Sequence, residues 1–218
     1  EALKTLTVVG GDKVELGGIV DDAKLESVNI SAVDNVALGV IAEADKLATL
    51  SVTSTEGSVT TLEVGDNGGT STDPDNIAIT LSAGTTVNAG IIEADKMGDV
   101  SITGNDGTIT IARLTSAADA GTFTITAAKG AIKLGDGTSD DGIIAADTSG
   151  ITVDMSATTF ISEDGTDVDA AAIVTNSKGD ITASLSGAAA ANVNYTAGTV
   201  NTAASAGTAN LNATALTG

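Results

Sequence analysis

The side chains in this 218-residue sequence with the clearest capacity for chemistry are carboxylates grouped in glycine-containing turns. Ca²⁺ takes about six to eight oxygen ligands, so a turn with three or four acidic side chains approaches what the ion needs. Three such turns occur, and a fourth turn carries only Asn105 and Asp106. The predicted Ca²⁺ ligands are Asp66, Asp73, Asp75, Asp136, Asp140, Asp141, Asp164, Asp167 and Asp169.

These turns do not match the established calcium-binding motifs. None follows the EF-hand pattern D-x-[DN]-x-[DN]-G-x₅-E. The nonapeptide G-G-x-G-x-D-x-U-x of calcium-binding β-helices is also absent, because the run from Gly68 to Asp73 has Ser71 where that pattern needs its third glycine. A solvated turn is therefore the alternative interpretation of each cluster.

Other catalytic chemistry has few residues to work with. The chain has no His, Cys or Trp, and its only Arg and Tyr are Arg113 and Tyr195. Catalytic triads that rely on His and ordinary zinc sites are thereby excluded. Asp34, Asp99 or Asp154 could pair as carboxylates for polysaccharide cleavage, but aromatic sugar platforms are almost absent. We predict that the chain is not an enzyme and that these three residues are solvated.

The charge balance limits the kinds of partner. Nine basic against 29 acidic residues give a net charge of −20. Nucleic acids need clustered cations, so a nucleic-acid partner is not expected, and an anionic membrane surface is disfavoured for the same reason. No run of about 18 apolar residues is present to insert into a membrane. Divalent cations are the natural complement of this charge, although acidity can also serve solubility alone.

A degenerate repeat organises the elements that must position the acidic turns. An acidic residue followed by apolar-x-x-apolar-x-apolar recurs with its first apolar residue at Leu3, Leu25, Leu47 and Met97. The first three copies are spaced by about 22 residues, and the last step is more than twice as long. A glycine followed by two aliphatic residues recurs at Gly18, Gly39, Gly90 and Gly142. The last two intervals between these glycines are also long. Each long step is interpreted as two repeats lengthened by loops.

Short alternating segments fill the repeat and predict strands. They are residues 58–64, 77–81, 108–111, 122–125, 131–134 and 150–155. Aromatic residues make up only 1% of the chain, so the core must consist of stacked small aliphatic side chains. We predict an all-β fold, a β-solenoid with irregular coils, or rungs, of about 22 residues. A β-sandwich is the alternative, because it also uses short alternating strands.

Composition divides the chain into two parts. Residues 1–170 form the predicted solenoid region, and the Ala/Thr/Asn-rich residues 171–218 either continue it or form an assembly segment. The helix formers in residues 41–48 and 92–97 are too few for an independent helix, so corners are expected there. We expect Arg113 and the lysines at one place in the repeat, Lys24, Lys46 and Lys96, to pair with nearby acids.

Segments such as Asp22-Ala-Lys-Leu-Glu-Ser-Val-Asn-Ile-Ser31 and Asp45-Lys-Leu-Ala-Thr-Leu-Ser-Val-Thr53 resemble rungs of bacterial surface-layer (S-layer) proteins. The likeness is to the Thr/Ala/Gly-rich, Cys-free kind exported by type I secretion, and it covers residues 1–160. It implies an extracellular, cell-surface structural protein that tiles with copies of itself, with Ca²⁺ bridging subunits. We interpret this chain as a segment of a longer polypeptide. Cell-surface polysaccharide would be bound through regions of that polypeptide outside this chain. Stalks of large secreted adhesins have a similar composition and sequence pattern, and a stalk of this kind is the alternative.

Overall fold

The computed structural model describes residues 3–19, 24–42, 44–65, 74–116, 120–135, 142–145, 151–157, 159–162, 173–175, 181–188 and 209–217. Every regular element within these residues is a β-strand. The strands are β1 (Thr5–Val9), β2 (Val14–Leu16), β3 (Ser27–Ala32), β4 (Val36–Ile41), β5 (Thr49–Ser54), β6 (Val59–Val64), β7 (Ile77–Ala83), β8 (Val87–Ala94), β9 (Met97–Gly104), β10 (Ile109–Ser116), β11 (Thr122–Ala127), β12 (Ala131–Leu134), β13 (Gly142–Ala145), β14 (Ile151–Ser156), β15 (Thr159–Ser162), β16 (Ile173–Thr175), β17 (Ile181–Ala188) and β18 (Ala209–Thr217).

Strands β1 to β12 alternate between two parallel sheets. Sheet A has the order β1-β3-β5-β7-β9-β11-β14-β17-β18, and sheet B has the order β2-β4-β6-β8-β10-β12-β15, with β13 beside β10 and β16 beside β13. Each of the first five coils consists of one strand from each sheet, and the next coil pairs with it strand for strand. This arrangement is a β-solenoid. The predicted solenoid is confirmed, and the β-sandwich alternative is wrong, because sandwich sheets are antiparallel.

The strand register gives the length of each coil. Thr5 pairs with Ser27, and Ser27 pairs with Thr49, so the first two steps keep the predicted period. The predicted long step between Leu47 and Met97 contains two coils. The first is lengthened and runs from Thr49 to its partner Ala78, and the second is short and runs from Ile79 to its partner Val100. The interpretation of that step as two coils is therefore confirmed, but only the first of them is lengthened by a loop.

The alignment of the glycines in the repeat was partly wrong by one position. Gly142 pairs with Arg113, which in turn pairs with Ile91, so Gly142 is in line with Ile91 and not with Gly90. Gly18 is likewise in line with Val40, because Ile19 bridges to Ile41. The physical reason is that pairing in a parallel sheet is set by the inward side chains, and these are Ile41 and Ile92, not the glycines.

Inward side chains of successive coils stack in files. One file on sheet A runs through Val28, Leu50, Ile79, Val100, Phe123 and Val153, and all six are fully or almost fully buried. One file on sheet B runs through Val36, Val59, Val87, Ile109 and Ile132. Fully burying one such aliphatic side chain contributes about 1.5–3 kcal/mol. The large Phe123 lies between the smaller Val100 and Val153, which leaves room for its ring.

Sheet B bends once in every coil. Inward and outward side chains alternate along β4, β6 and β8, but two consecutive outward residues interrupt the alternation at Gly39-Val40, Leu62-Glu63 and Gly90-Ile91. Because a regular strand puts consecutive side chains on opposite faces, the backbone must turn at these positions. Beyond β10 the two halves of the sheet separate, since β12 pairs with Ile109–Ile111 and β13 pairs with residues 113–116.

Short polar side chains tie the corners of neighbouring coils together. The Asn35 carboxamide oxygen accepts hydrogen bonds from the Ser58 backbone N–H at 2.9 Å and from the Ser58 hydroxyl at 2.8 Å. The buried Ser54 hydroxyl accepts the Gly57 N–H at 2.9 Å and donates to the Asp34 carbonyl. These bonds satisfy backbone groups where the strands end. The described residues of the two segments rich in helix formers also form corners, as predicted.

Glycine is required where one coil's backbone lies directly against the next. A Cβ on Gly90 would overlap the carbonyl oxygen of Leu62, whereas a Cβ on the exposed Gly11 would meet nothing within 4 Å. We predict that Gly90→Ala lowers the free energy of unfolding by about 1–3 kcal/mol, because the coils must move apart. Gly11→Ala is the matched control and leaves stability unchanged or slightly raised. Urea unfolding followed by circular dichroism checks this, and equal midpoints for the two variants would contradict the coil contact.

Candidate functional site

Most of the predicted calcium ligands lie outside the described residues. Asp66, Asp73, Asp136, Asp140, Asp141, Asp164, Asp167 and Asp169 are in this group, and Asp75 is the one that the structure describes. The acidic clusters coincide with the long coils. Regular coils have about 22 residues. The coils that contain an acidic cluster are several residues longer, such as those from Arg113 to Gly142 and from Ile143 to Ile173. The clusters therefore lie in insertions added to a regular coil.

Two glycines with a left-handed backbone precede acidic segments. Gly65 (φ 93°) comes before the first segment, and Gly135 (φ 88°) comes before the second. Their N–H groups still donate to carbonyl oxygens of the previous coil, Gly65 to Ile41 at 3.0 Å and Gly135 to Ile111 at 2.8 Å. Coil pairing thus holds up to these glycines, and glycine is the residue that adopts positive φ most readily.

The strand register places the ends of two acidic segments next to each other. Residues 135–141 connect β12 to β13, and residues 163–172 connect β15 to β16 in the next coil. Leu134 pairs with Ser162 where these segments begin, and Ile143 pairs with Ile173 where they end. Paired strands lie about 4.8 Å apart. Sequence reasoning treated these two clusters as separate, because only the strand register brings their ends together.

Asp75 is held by the neighbouring coil. Its N–H donates to the Asp45 carbonyl at 3.0 Å, and its carboxylate accepts a hydrogen bond from Lys46 in an ion pair. This hydrogen bond, together with the charge of Asp75, raises the pKa of Lys46 above its ordinary value. A cation at this turn would therefore have to compete with Lys46. Within the described residues, no three acidic side chains come together in a metal-binding group.

Among the described residues, ion pairs join neighbouring coils. Lys4 contacts Glu26 at 2.6 Å, Lys129 contacts Asp106 at 2.6 Å, and Lys46 contacts Asp75, all at exposed positions. Arg113 contacts Glu93 at 2.7 Å in a more enclosed pair, with side chains that are 19% and 14% exposed. The prediction that Lys46 and Arg113 pair with nearby acids is confirmed. Only the enclosed pair is shielded enough from water to matter much for stability.

The outward face of sheet A has a composition that sequence reasoning did not single out. On β1, β3, β5, β7, β9, β11 and β14 the outward positions are half-buried or exposed, and they carry Ser or Thr except at Val9, Asn29, Ala78, Gly98, Asp99 and Asp154. We call this surface the hydroxyl face. Its hydroxyl residues are Thr5, Thr7, Ser27, Ser31, Thr49, Ser51, Thr53, Thr80, Ser82, Ser101, Thr103, Thr122, Thr124, Thr126, Thr152 and Ser156.

The outward face of sheet B differs in charge. It carries Glu15, Glu63, Glu93, Arg113 and Lys133. On the hydroxyl face the charged residues are Asp99 and Asp154, two of the three acids that could have formed a catalytic pair. Strand β11 lies between their strands, and Asp34 lies in a turn between β3 and β4, so the fold distributes these three acids over separate places. The Asp99 carboxylate accepts a hydrogen bond from the Thr122 N–H at 3.0 Å.

Three comparisons with known proteins give no relative. No protein-family model, no curated protein and no solved structure matches the chain. The described part of the chain also contains no helix of sufficient length and hydrophobicity to cross a membrane.

The enclosed Arg113–Glu93 pair can be tested against an exposed one. We predict that Arg113→Ala lowers the free energy of unfolding by about 2 kcal/mol, because it leaves the Glu93 carboxylate enclosed without this partner. Lys129→Ala removes the pair with Asp106, whose side chains are 75% and 57% exposed, and costs less than about 1 kcal/mol. Urea unfolding midpoints measure both effects. Equal losses would show that enclosure does not strengthen the pair.

Proposed function

We propose that this chain is an extracellular structural protein of the bacterial cell surface that assembles with copies of itself into a lattice stabilised by Ca²⁺. The observation that carries the proposal is the continuous parallel pairing of sheet A from β1 to β18. Eight strand steps of about 4.8 Å give a stiff body roughly 40 Å long. A lattice subunit needs this stiffness, since contacts between copies keep a fixed geometry only if each copy holds its shape.

The resemblance to S-layer proteins supports the same role. The segments that carry it, 22–31 and 45–53, contain strands β3 and β5 of the regular part of the solenoid. In this proposal the chain presents its sheet faces and coil ends to neighbouring subunits. Regions outside this chain would contact cell-surface polysaccharide.

Charge gives Ca²⁺ its role in the proposal. Subunits that each carry −20 repel one another at close range, so their assembly needs a counter-ion. The two segments with neighbouring ends contribute Asp136, Asp140 and Asp141 from one coil and Glu163, Asp164, Asp167 and Asp169 from the next. Their carboxylates are the hard oxygen ligands that Ca²⁺ prefers. We propose that these segments, with Asp66, Asp73 and Asp75, bind the ion within or between subunits.

The first coil offers an edge for contact along the solenoid axis. Strand β1 pairs with β3 on one side, and its other side has no partner strand among the described residues. Its inward residues Leu6 and Val8 are only partly buried, and Val9 is 78% exposed. An open parallel edge with apolar side chains favours addition of a further strand. In the proposal, a coil of another copy or of the same polypeptide covers it.

Electron microscopy of the purified protein, with Ca²⁺ and after chelation by EGTA, tests the proposal. We predict ordered sheets or filaments with Ca²⁺ that dissolve when the ion is removed, because repulsion between acidic subunits then returns. Rods that stay separate in both conditions would contradict the lattice and favour an adhesin stalk.

The double variant Asp164→Asn/Asp167→Asn should raise the Ca²⁺ concentration needed for assembly, because it removes two of the proposed ligands.

The matched control is Asp12→Asn/Asp34→Asn, which removes two acids from turns in the regular coils and the same amount of charge. This control should assemble at the Ca²⁺ concentration of the unmodified protein. An equal effect of the two double variants would show that total charge, and not binding at the acidic insertions, controls assembly.

A further inference from the structure

We propose that the hydroxyl face of sheet A binds ice. This activity is additional to the lattice role and uses only the hydroxyl face, whereas the Ca²⁺-dependent contacts use the acidic segments. Four properties of the face support it: its chemistry, its spacing, its rigidity and its charge.

The chemistry of the face is repetitive. Strands β1, β3, β5, β7, β11 and β14 each present three outward positions. Strand β9 presents Gly98 as well as three such positions, because a register shift between β7 and β9 adds one residue there. The pairing places the outward positions in three files that run across the sheet. The central file runs Thr7, Asn29, Ser51, Thr80, Ser101 and Thr124, so every member has a side-chain group that can both donate and accept hydrogen bonds. A surface of water molecules also presents alternating donors and acceptors.

The spacing of the face is regular in two directions. Neighbouring members of one file are about 4.8 Å apart, the distance between paired strands. Neighbouring files are about 6.6 Å apart, since outward residues alternate along each strand. These two repeats are comparable to spacings between water oxygens on the surfaces of hexagonal ice. Hydration water held on this array would therefore already have a spacing close to that of the crystal.

The face is also rigid. Ile79, Ile102 and Ile125 lie between the outward residues of their strands and are buried in the core, which fixes the backbone beneath the array. Thr side chains are branched at Cβ and have few χ1 rotamers, so their hydroxyl and methyl groups lose little freedom on binding. Ordered waters that bridge polar groups on such a surface lose little free energy when they are immobilised.

The distribution of charge favours ice over other partners. An ice lattice does not accommodate ions, so a surface that adsorbs to it must be nearly uncharged. The protein as a whole carries −20, yet the central file is uncharged from β1 to β11. Asp154 follows at one end of the file, and Asp99 lies at the side of the face, where it accepts the Thr122 N–H. The charged face of sheet B would remain in liquid water.

The test is partition of the purified protein into slowly grown ice, together with thermal hysteresis of single ice crystals. We expect the protein to be enriched in the ice fraction and to hold a gap between melting and freezing temperatures. Thr80→Tyr/Thr124→Tyr places two bulky rings in the central file, so both effects should be lost.

Thr60→Tyr/Thr110→Tyr is the matched control, with the same substitutions at outward positions of sheet B. It should retain both effects, and circular dichroism verifies that both variants fold. Exclusion of the unmodified protein from ice would overturn the inference, as would retention of activity by Thr80→Tyr/Thr124→Tyr. Sedimentation that shows these two substitutions dissolving a dimer would instead assign the face to contact between copies. None of these outcomes changes the electron-microscopy test of the lattice.

Discussion

The parallel hydrogen bonding between successive coils is the interaction on which the rest of this structure depends. Each strand of sheet A or sheet B is a few residues long and has little stability by itself. Pairing with the coil before and the coil after satisfies its backbone groups and places like side chains above one another. The pairing thereby determines the core, the corners and both outer faces. A long insertion does not disturb the register, because the strands before and after residues 66–73 and 136–141 all pair with the neighbouring coil.

Coil pairing also explains the unusual composition. Stacked files need side chains of similar size at each position and leave little space for rings, which is why Val, Leu and Ile fill them and Phe123 is flanked by valines. Many acidic residues lie in turns and in the acidic segments between strands. Hydroxyl residues line the outward face of sheet A, where Thr, which is branched at Cβ, suits an exposed strand. One repeating geometry thus separates a face with few charges from the acidic turns.

Much of the fold could be predicted from the sequence, because strand alternation and a regular coil period are local signals. The predicted strand in residues 131–134 agrees with β12 at both ends, and each long step does contain two coils. The alignment of Gly142 could not be predicted, since register depends on inward contacts that span coils. The hydroxyl face was missed for the same reason. Its Thr-x-Thr segments indicate strands locally, but their alignment across the sheet needs the register. Of the predicted metal ligands, the structure describes only Asp75 and pairs it with Lys46, so the calcium assignment remains a proposal.

Distances between spin labels on sheet A test the coil stacking most directly. The chain has no cysteine, so pairs introduced at Thr7 with Ser101, Thr124 or Asp154 would be the only labelled sites. These partners are four, five and six strand steps from Thr7. The stacked coils predict backbone separations of about 19, 24 and 29 Å, which increase evenly by one strand spacing. Separations that are broad, or that do not increase in this order, would contradict the solenoid.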